Sequence, residues 1–167
     1  MIQIVPLNSI PAAQVEALLD AAFGADRQGR TAYRIREGVS AIDALSFAAV
    51  EDGRLVGTIQ AWPSIIAHDT AKDPVTLVGP VAVMPDAQQK GIGKMLMTRL
   101  LEAADDGASD AMVMIGDPEY YGRFWGFTNA FTGGWDLPGP FERHRLLVRC
   151  DNPEVLPREG MLGPWRG

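Results

Sequence analysis

Apolar and polar positions alternate between two periods along this chain, and each change of period marks an element boundary. Ile2–Leu7 reads as a short strand, and Ser9-Ile10-Pro11 as a helix start with proline near the first turn. Val15, Leu18, Leu19, Ala22 and Phe23 then recur at helical spacing until Gly24 stops the run. A shorter, more polar helical stretch covers Arg30–Gly38. Ser46–Val50 and Arg54–Ala61 read as strands joined by Glu51-Asp52-Gly53, an Asp-Gly hairpin signal. Ile65–Lys72 is less regular and carries an extended edge into a turn, and Val75–Val83 is a central apolar strand. A helix over Ile92–Asp105 places Ile92, Met95, Leu96, Leu100, Ala103 and Ala104 on one face, with Gly107 closing it. Ala111–Ile115 is a buried strand, and Pro118–Phe124 a short helix with proline in its first turn. Phe131–Cys150 supplies one or two further strands, the clearest at Arg143–Arg149. Residues 151–167, with their prolines and glycines, are expected to run over the surface. The order β, α, α, three strands, α, β, α and a final β pair is that of a mixed sheet flanked by helices, an α/β layered domain.

Composition narrows the function classes. A chain of 167 residues, 47% hydrophobic and 22% charged, is long enough for one domain with a sizeable core. A formal net charge of −6 argues against a nucleic-acid partner, which would need a basic face. No apolar run is long enough to span a membrane, and the N-terminus lacks the pattern of a secretory signal; the expectation is a cytoplasmic protein. Cys150 is the only cysteine and ends a strand. His68 and His144 offer no metal-ligand spacing, so no metal is expected.

The most informative stretch runs from Val75 to Lys94. An apolar strand passes Gly79-Pro80, ends in Met84-Pro85, and gives way to Gln88-Gln89-Lys90-Gly91-Ile92-Gly93-Lys94 opening a helix. Backbone N–H groups of such a loop converge, and the helix N-terminus adds partial positive charge. Glycine lets the backbone approach a bulky anion. The arrangement is a cradle for a phosphate or pyrophosphate, with Lys90 and Lys94 adding charge. A P-loop would need Ser or Thr where Met95 stands, and a dinucleotide fingerprint needs a third glycine that is missing.

The segment Gln88-x-x-Gly91-x-Gly93 between strand and helix resembles the acyl-CoA pyrophosphate loop of the GNAT N-acetyltransferase superfamily. Gly116-Asp117-Pro118-Glu119-Tyr120-Tyr121-Gly122-Arg123-Phe124-Trp125-Gly126-Phe127 is similar to the Tyr-x-x-x-Gly-Phe segment after the family's fifth strand, with Trp125 as one extra residue. It resembles in particular a branch of small predicted acetyltransferases. The element order matches as well, so the resemblance covers nearly the whole chain. It implies a single-domain mixed, mostly antiparallel sheet flanked by helices, with strands four and five splayed. Residues 1–150 would form the N-acetyltransferase domain, and residues 151–167 a tail packing on it.

The resemblance also implies acetyl transfer from acetyl-CoA to a primary amine of a small molecule or protein. Tyr121 stands where the family's tyrosine donates a proton to the departing thiolate, and a phenol is protonated at neutral pH. Val81, Ala82 and Val83 would meet the pantetheine through their backbone, and the Val81 N–H could polarise the thioester carbonyl. Gln88, Gln89, Lys90, Gly91, Ile92, Gly93 and Lys94 would hold the pyrophosphate. Family members often pair through C-terminal strands, so a homodimer is compatible with the resemblance. Many relatives carry a base Glu on strand four where this chain has Gly79; either bulk water takes the proton, or Glu51, His68 or Asp69 does, each of these more readily read as a solvated loop or turn residue. Arg27, Arg30, Tyr33, Arg34, Arg36, Trp62, Trp125 and Trp135 are the acceptor-pocket candidates; the basic run Asp26–Arg34 reads by default as a solvated helix face, with an acidic acceptor or the CoA 3′-phosphate as the alternative. Two rivals remain at this stage: a non-catalytic acyl-CoA-binding module and, less favoured, a nicotinamide-cofactor enzyme. The latter would be expected to place its glycine loop in an N-terminal βαβ unit.

Overall fold

Every apolar run identified above becomes a strand or helix in the computed structural model, which describes residues 1–105 and 111–166. The order is β1 (Ile2–Pro6), α1 (Ala12–Phe23), α2 (Thr31–Ile35), β2 (Phe47–Glu51), β3 (Arg54–His68), β4 (Ala71–Val83), α3 (Ile92–Asp105), β5 (Met112–Ile115), α4 (Pro118–Trp125), β6 (Gly134–Asp136), β7 (Leu146–Arg149) and β8 (Glu159–Pro164). The sheet is mostly antiparallel, with β4–β5 and β6–β8 running parallel. Gly107, expected to close α3, lies outside the described residues.

The chain divides into two compact units, and the long strands β3 and β4 each contribute to both. The first groups Met1–Gly29, Ala41–Ala61 and Gly79–Ser109. Here β1 pairs β2 from Ile2↔Glu51 to Pro6↔Phe47, and β2 pairs β3 across the Asp52-Gly53 turn. Both turn residues take positive φ, 52° and 80°, as the two-residue hairpin requires. Val15, Leu18 and Leu19 of α1 pack with Ala82 of β4, while Arg27 folds back onto Asp20 (2.9 Å) and Glu16 of the same helix. α3 lies against β3 at Gly57, where a Cβ would come within 2.7 Å of Ile92 and 3.1 Å of Leu96. A glycine there lets the helix start sit low on the strand. The buried face of α3 is Ile92, Leu96, Met97, Leu100, Leu101 and Ala104; Met97 and Leu101 replace the expected Met95 and Ala103 because the stripe winds round the helix.

The second unit groups Arg30–Ser40, Trp62–Val78 and Asp110–Gly167. β4 pairs β5 in parallel through Thr76↔Met112, and β5 pairs β7 from Met112↔Arg149 to Ile115↔Leu146. β8 lies antiparallel to the second half of β3, Ser64↔Pro164 to Ala67↔Met161, and β6 adds to β8. The core is Ile35, Ile66, Val75, Leu77, Val113, Trp135, Leu146, Val148 and Leu162. Trp135 is fully buried, and its indole N–H is satisfied by the Pro157 carbonyl at 2.8 Å. Two elements differ from expectation. β3 continues through Pro63 to His68, and the final segment, expected only to run over the surface, contributes β8.

Candidate functional site

The glycine loop occupies one end of the first unit. After β4, Pro85–Lys90 forms a 3₁₀ turn with proline at its start, and Gly91 links it to α3 with φ +75°. The Gly91 carbonyl accepts the first helical hydrogen bond, from the Met95 N–H at 3.1 Å. Nothing lies within 4 Å of the Cβ that Gly91 lacks, so the left-handed backbone, rather than crowding, calls for glycine there. Gly93 is different. It lies in the first turn of α3 with ordinary φ, and an added Cβ would meet only the Val81 side chain, at 3.9 Å. Neither backbone nor neighbours require a glycine at a helical position where it costs ~0.5–1 kcal/mol against alanine. What a Cβ would fill is open space over the helix start.

That space has the character of an anion site. Helix geometry leaves the Ile92 and Gly93 N–H groups without a carbonyl inside the helix, and the dipole concentrates partial positive charge there. Gln88, Gln89, Lys90, Gly91 and Lys94 are exposed, whereas Ile92 anchors the start of the helix in the core. A Cβ on Gly93 would lie 3.9 Å from Val81 Cγ1, so Val81, near the end of β4, lies beside the start of α3. The expected cofactor residues all belong to this unit, with the Ala82 and Ile92 side chains buried. Lys90 does not stand free to add charge: its ammonium is 2.7 Å from Glu51 at the end of β2. Arg54, the cross-strand neighbour of Glu51, holds Asp86 at 3.0 Å in the 3₁₀ turn.

Tyr121 belongs to the second unit, on α4. The Asp117 carboxylate caps this helix by accepting from the Glu119 N–H at 3.0 Å, with Pro118 in the first turn. Gly126, at φ +76°, ends it, and the Phe127 N–H donates back to the Tyr121 carbonyl. The extra Trp125 is absorbed as the last helical residue, its carbonyl accepting from Arg149 Nε at 3.0 Å. The Tyr121 ring lies on Gly116 so closely that a Cβ there would be 2.6 Å from ring carbon Cε2. Tyr120 at 5.0 Å, Trp125 at 5.7 Å and Phe127 at 6.4 Å surround it, centroid to centroid. Burial is the main reason that the phenol titrates above its ordinary value near 10; Tyr120 adds to the rise, Arg145 opposes it and Asp117 adds a little. Among the described residues, no hydrogen bond engages the hydroxyl.

The other candidates separate by what they touch. Glu51 is taken up by Lys90, His68 Nε2 lies 2.5 Å from Asp73, and Asp69 forms the β3–β4 turn at φ 46°. At the position of the strand-four base, Gly79 and Pro80 offer no carboxylate. Arg27 and Trp135 are buried in ion-paired and apolar interiors. Arg34 donates to the Pro138 carbonyl at 2.8 Å, and Arg30 is exposed. Arg36, only 8% exposed, is sandwiched between Tyr33 and Trp62, its guanidinium carbon 3.8 and 4.4 Å from the two ring centroids. Trp125 is half-buried. Sequence reasoning missed Gly116 and Arg145 as neighbours of Tyr121. The only local hint was the glycine that starts the Gly-Asp-Pro sequence.

Comparison with known proteins fits this geometry. A family model described as the acetyltransferase (GNAT) family matches residues 12–120. A search of curated proteins finds no match. Among solved structures, a GNAT family acetyltransferase from Brucella melitensis in complex with acetyl-CoA is 25% identical, with TM-score 0.70 over 99% of this chain and 97% of that one. A GNAT family N-acetyltransferase from Escherichia coli in complex with CoA is 22% identical, with TM-score 0.71 over 99% of this chain and 89% of that one. With the family model covering well over half of its residues and the fold shared along its length, the chain belongs to the GNAT acetyltransferase family.

Proposed function

We propose that the protein transfers the acetyl group of acetyl-CoA to a primary amine of a small molecule or protein, with Tyr121 as general acid. The observation that carries this reading is Gly93. The protein itself has no need of a glycine there, while a pyrophosphate seated on the N–H groups of the α3 start does. Crystallisation of the Brucella melitensis and Escherichia coli relatives with acetyl-CoA and CoA supports the same ligand. We read residues 1–150 as the transferase domain, with 151–167 packed on it; the pairing of β8 with β3 supports that division.

In the proposed reaction the neutral amine attacks the thioester carbonyl, whose oxygen gains charge and is held by the Val81 N–H. Collapse of the tetrahedral species expels the CoA thiolate. Tyr121 gives that sulfur its proton, a task suited to a phenol that burial keeps protonated. With Gly79 in place of a strand-four carboxylate, the amine proton passes to water. The same absence sustains a second reading, an acyl-CoA-binding protein that does not transfer.

Tyr121→Phe separates the two. Turnover with an accepted amine should fall on the order of 10²-fold, within the range for general acid–base catalysis, while CoA affinity stays within about twofold. Full turnover by Tyr121→Phe would remove Tyr121 from the mechanism. An absence of acetyl transfer by the wild-type protein across an amine panel, with CoA still bound, would favour the binding module.

A further inference from the structure

The β2–β3 hairpin grips both ends of the turn that precedes the glycine loop. Glu51 and Arg54 face each other across the hairpin, directly flanking the Asp52-Gly53 turn. Glu51 accepts from Lys90 Nζ at 2.7 Å, and Arg54 Nη2 meets both Asp86 oxygens at 3.0 and 3.3 Å. Asp86 and Lys90 are the second and last residues of the Pro85–Lys90 turn, whose next residue is Gly91. The two ion pairs run in opposite senses, acid to base and base to acid. The doublet therefore sets one rotational arrangement of hairpin on turn, and a reversed placement would put like charges together. Glu51 is the least exposed of the four at 24%, so its pair is the better shielded.

We propose that Glu51 and Arg54 are positioning residues for acyl-CoA, holding the Pro85–Lys90 turn so that the Gly91–Gly93 backbone is already set for the pyrophosphate. The inference rests on the proposed function of that loop. Ordering paid for in the free protein need not be paid on binding, so the doublet acts on affinity for the diphosphate part of the ligand and leaves the chemistry of the thioester alone. Exposed ion pairs of this kind have modest strength, and each pair is expected to change the dissociation constant about three- to fivefold.

The test compares CoA with pantetheine, which lacks the pyrophosphate, by calorimetry on wild type, Arg54→Asp, Asp86→Arg and the double exchange Arg54→Asp/Asp86→Arg. Each single variant should weaken CoA binding about three- to fivefold or more, leave pantetheine binding unchanged, and raise the KM for acetyl-CoA without lowering kcat. The double exchange, which restores that ion pair with its charges reversed but leaves a carboxylate opposite Glu51, should recover part of the CoA affinity that the single variants lose. Single variants that bind CoA as wild type does, or a double exchange no better than its singles, would overturn the proposal. Its failure is distinguishable from failure of the loop assignment: in the latter case wild-type protein binds CoA no better than pantetheine.

Discussion

At the residue scale, the site depends on what each group is denied as much as on what it touches. Tyr121 faces Tyr120, Arg145 and Asp117, with burial outweighing all three, and its phenol titrates above 10. Raising the folded value above the unfolded one gives stability that is complete below pH 10, where the phenol is protonated in both states. That stability is lost as pH rises through the folded value, because the unfolded chain ionises first. Tyr121, the proposed proton donor, therefore keeps its proton through the neutral range. In a pH–rate profile, the fall in kcat from loss of the Tyr121 proton should come at higher pH than for an unburied phenol. Arg145→Gln, which removes the one charge that eases ionisation, should move that fall to still higher pH; a shift to lower pH would contradict the assignment. Tyr121 and the loop glycines could be proposed from the sequence because residue type and spacing suggest their chemistry. The Gly116 seat and the Arg145 neighbour were not, since they depend on β5 and β7 lying side by side. Likewise, nothing local shows that Lys90 is engaged by a carboxylate 39 residues away.

At the element scale, α3 was readable to the residue, Ile92–Asp105, because a positive-φ glycine and an apolar stripe both mark its start. β3 was not: Pro63 punctuates its sequence and removes a ladder donor, yet the strand continues, and the Pro63 carbonyl accepts from Trp165. β8 was hidden by Gly160, Gly163 and Pro164, which read as loop; its strand state comes from pairing with β3 and from the wholly buried Leu162. The start of α3 also carries a prediction in which stability and function move in opposite directions. Gly93→Asp exchanges a flexible residue for an acid in the first turn of a helix, each change favourable to folding by about 0.3–1 kcal/mol. The thermal midpoint of the free protein should hold or rise, while CoA binding falls beyond detection because the acid occupies the anion's place. A Gly93→Asp protein that binds CoA like wild type would remove the helix start from the site.

For the molecule as a whole, the α/β class, the mostly antiparallel sheet and the family were within reach of sequence because the element order is distinctive. The acceptor pocket was not. Its candidates scattered into different roles, Arg27 and Trp135 to the interior and Arg36 into an aromatic sandwich, since arginine and tryptophan serve packing as readily as recognition. No described helix is long and apolar enough to cross a membrane. The central claim, that this fold holds acyl-CoA on the α3 start, is tested most directly by the thermal midpoint with acetyl-CoA, against pantetheine, NAD and ATP. Ligand at 100 times its dissociation constant stabilises by about 2.7 kcal/mol, or roughly 5–10 °C for a domain of this size. The account predicts such a rise with acetyl-CoA and CoA and none of comparable size with the other three; an unmoved midpoint at millimolar acetyl-CoA would contradict it.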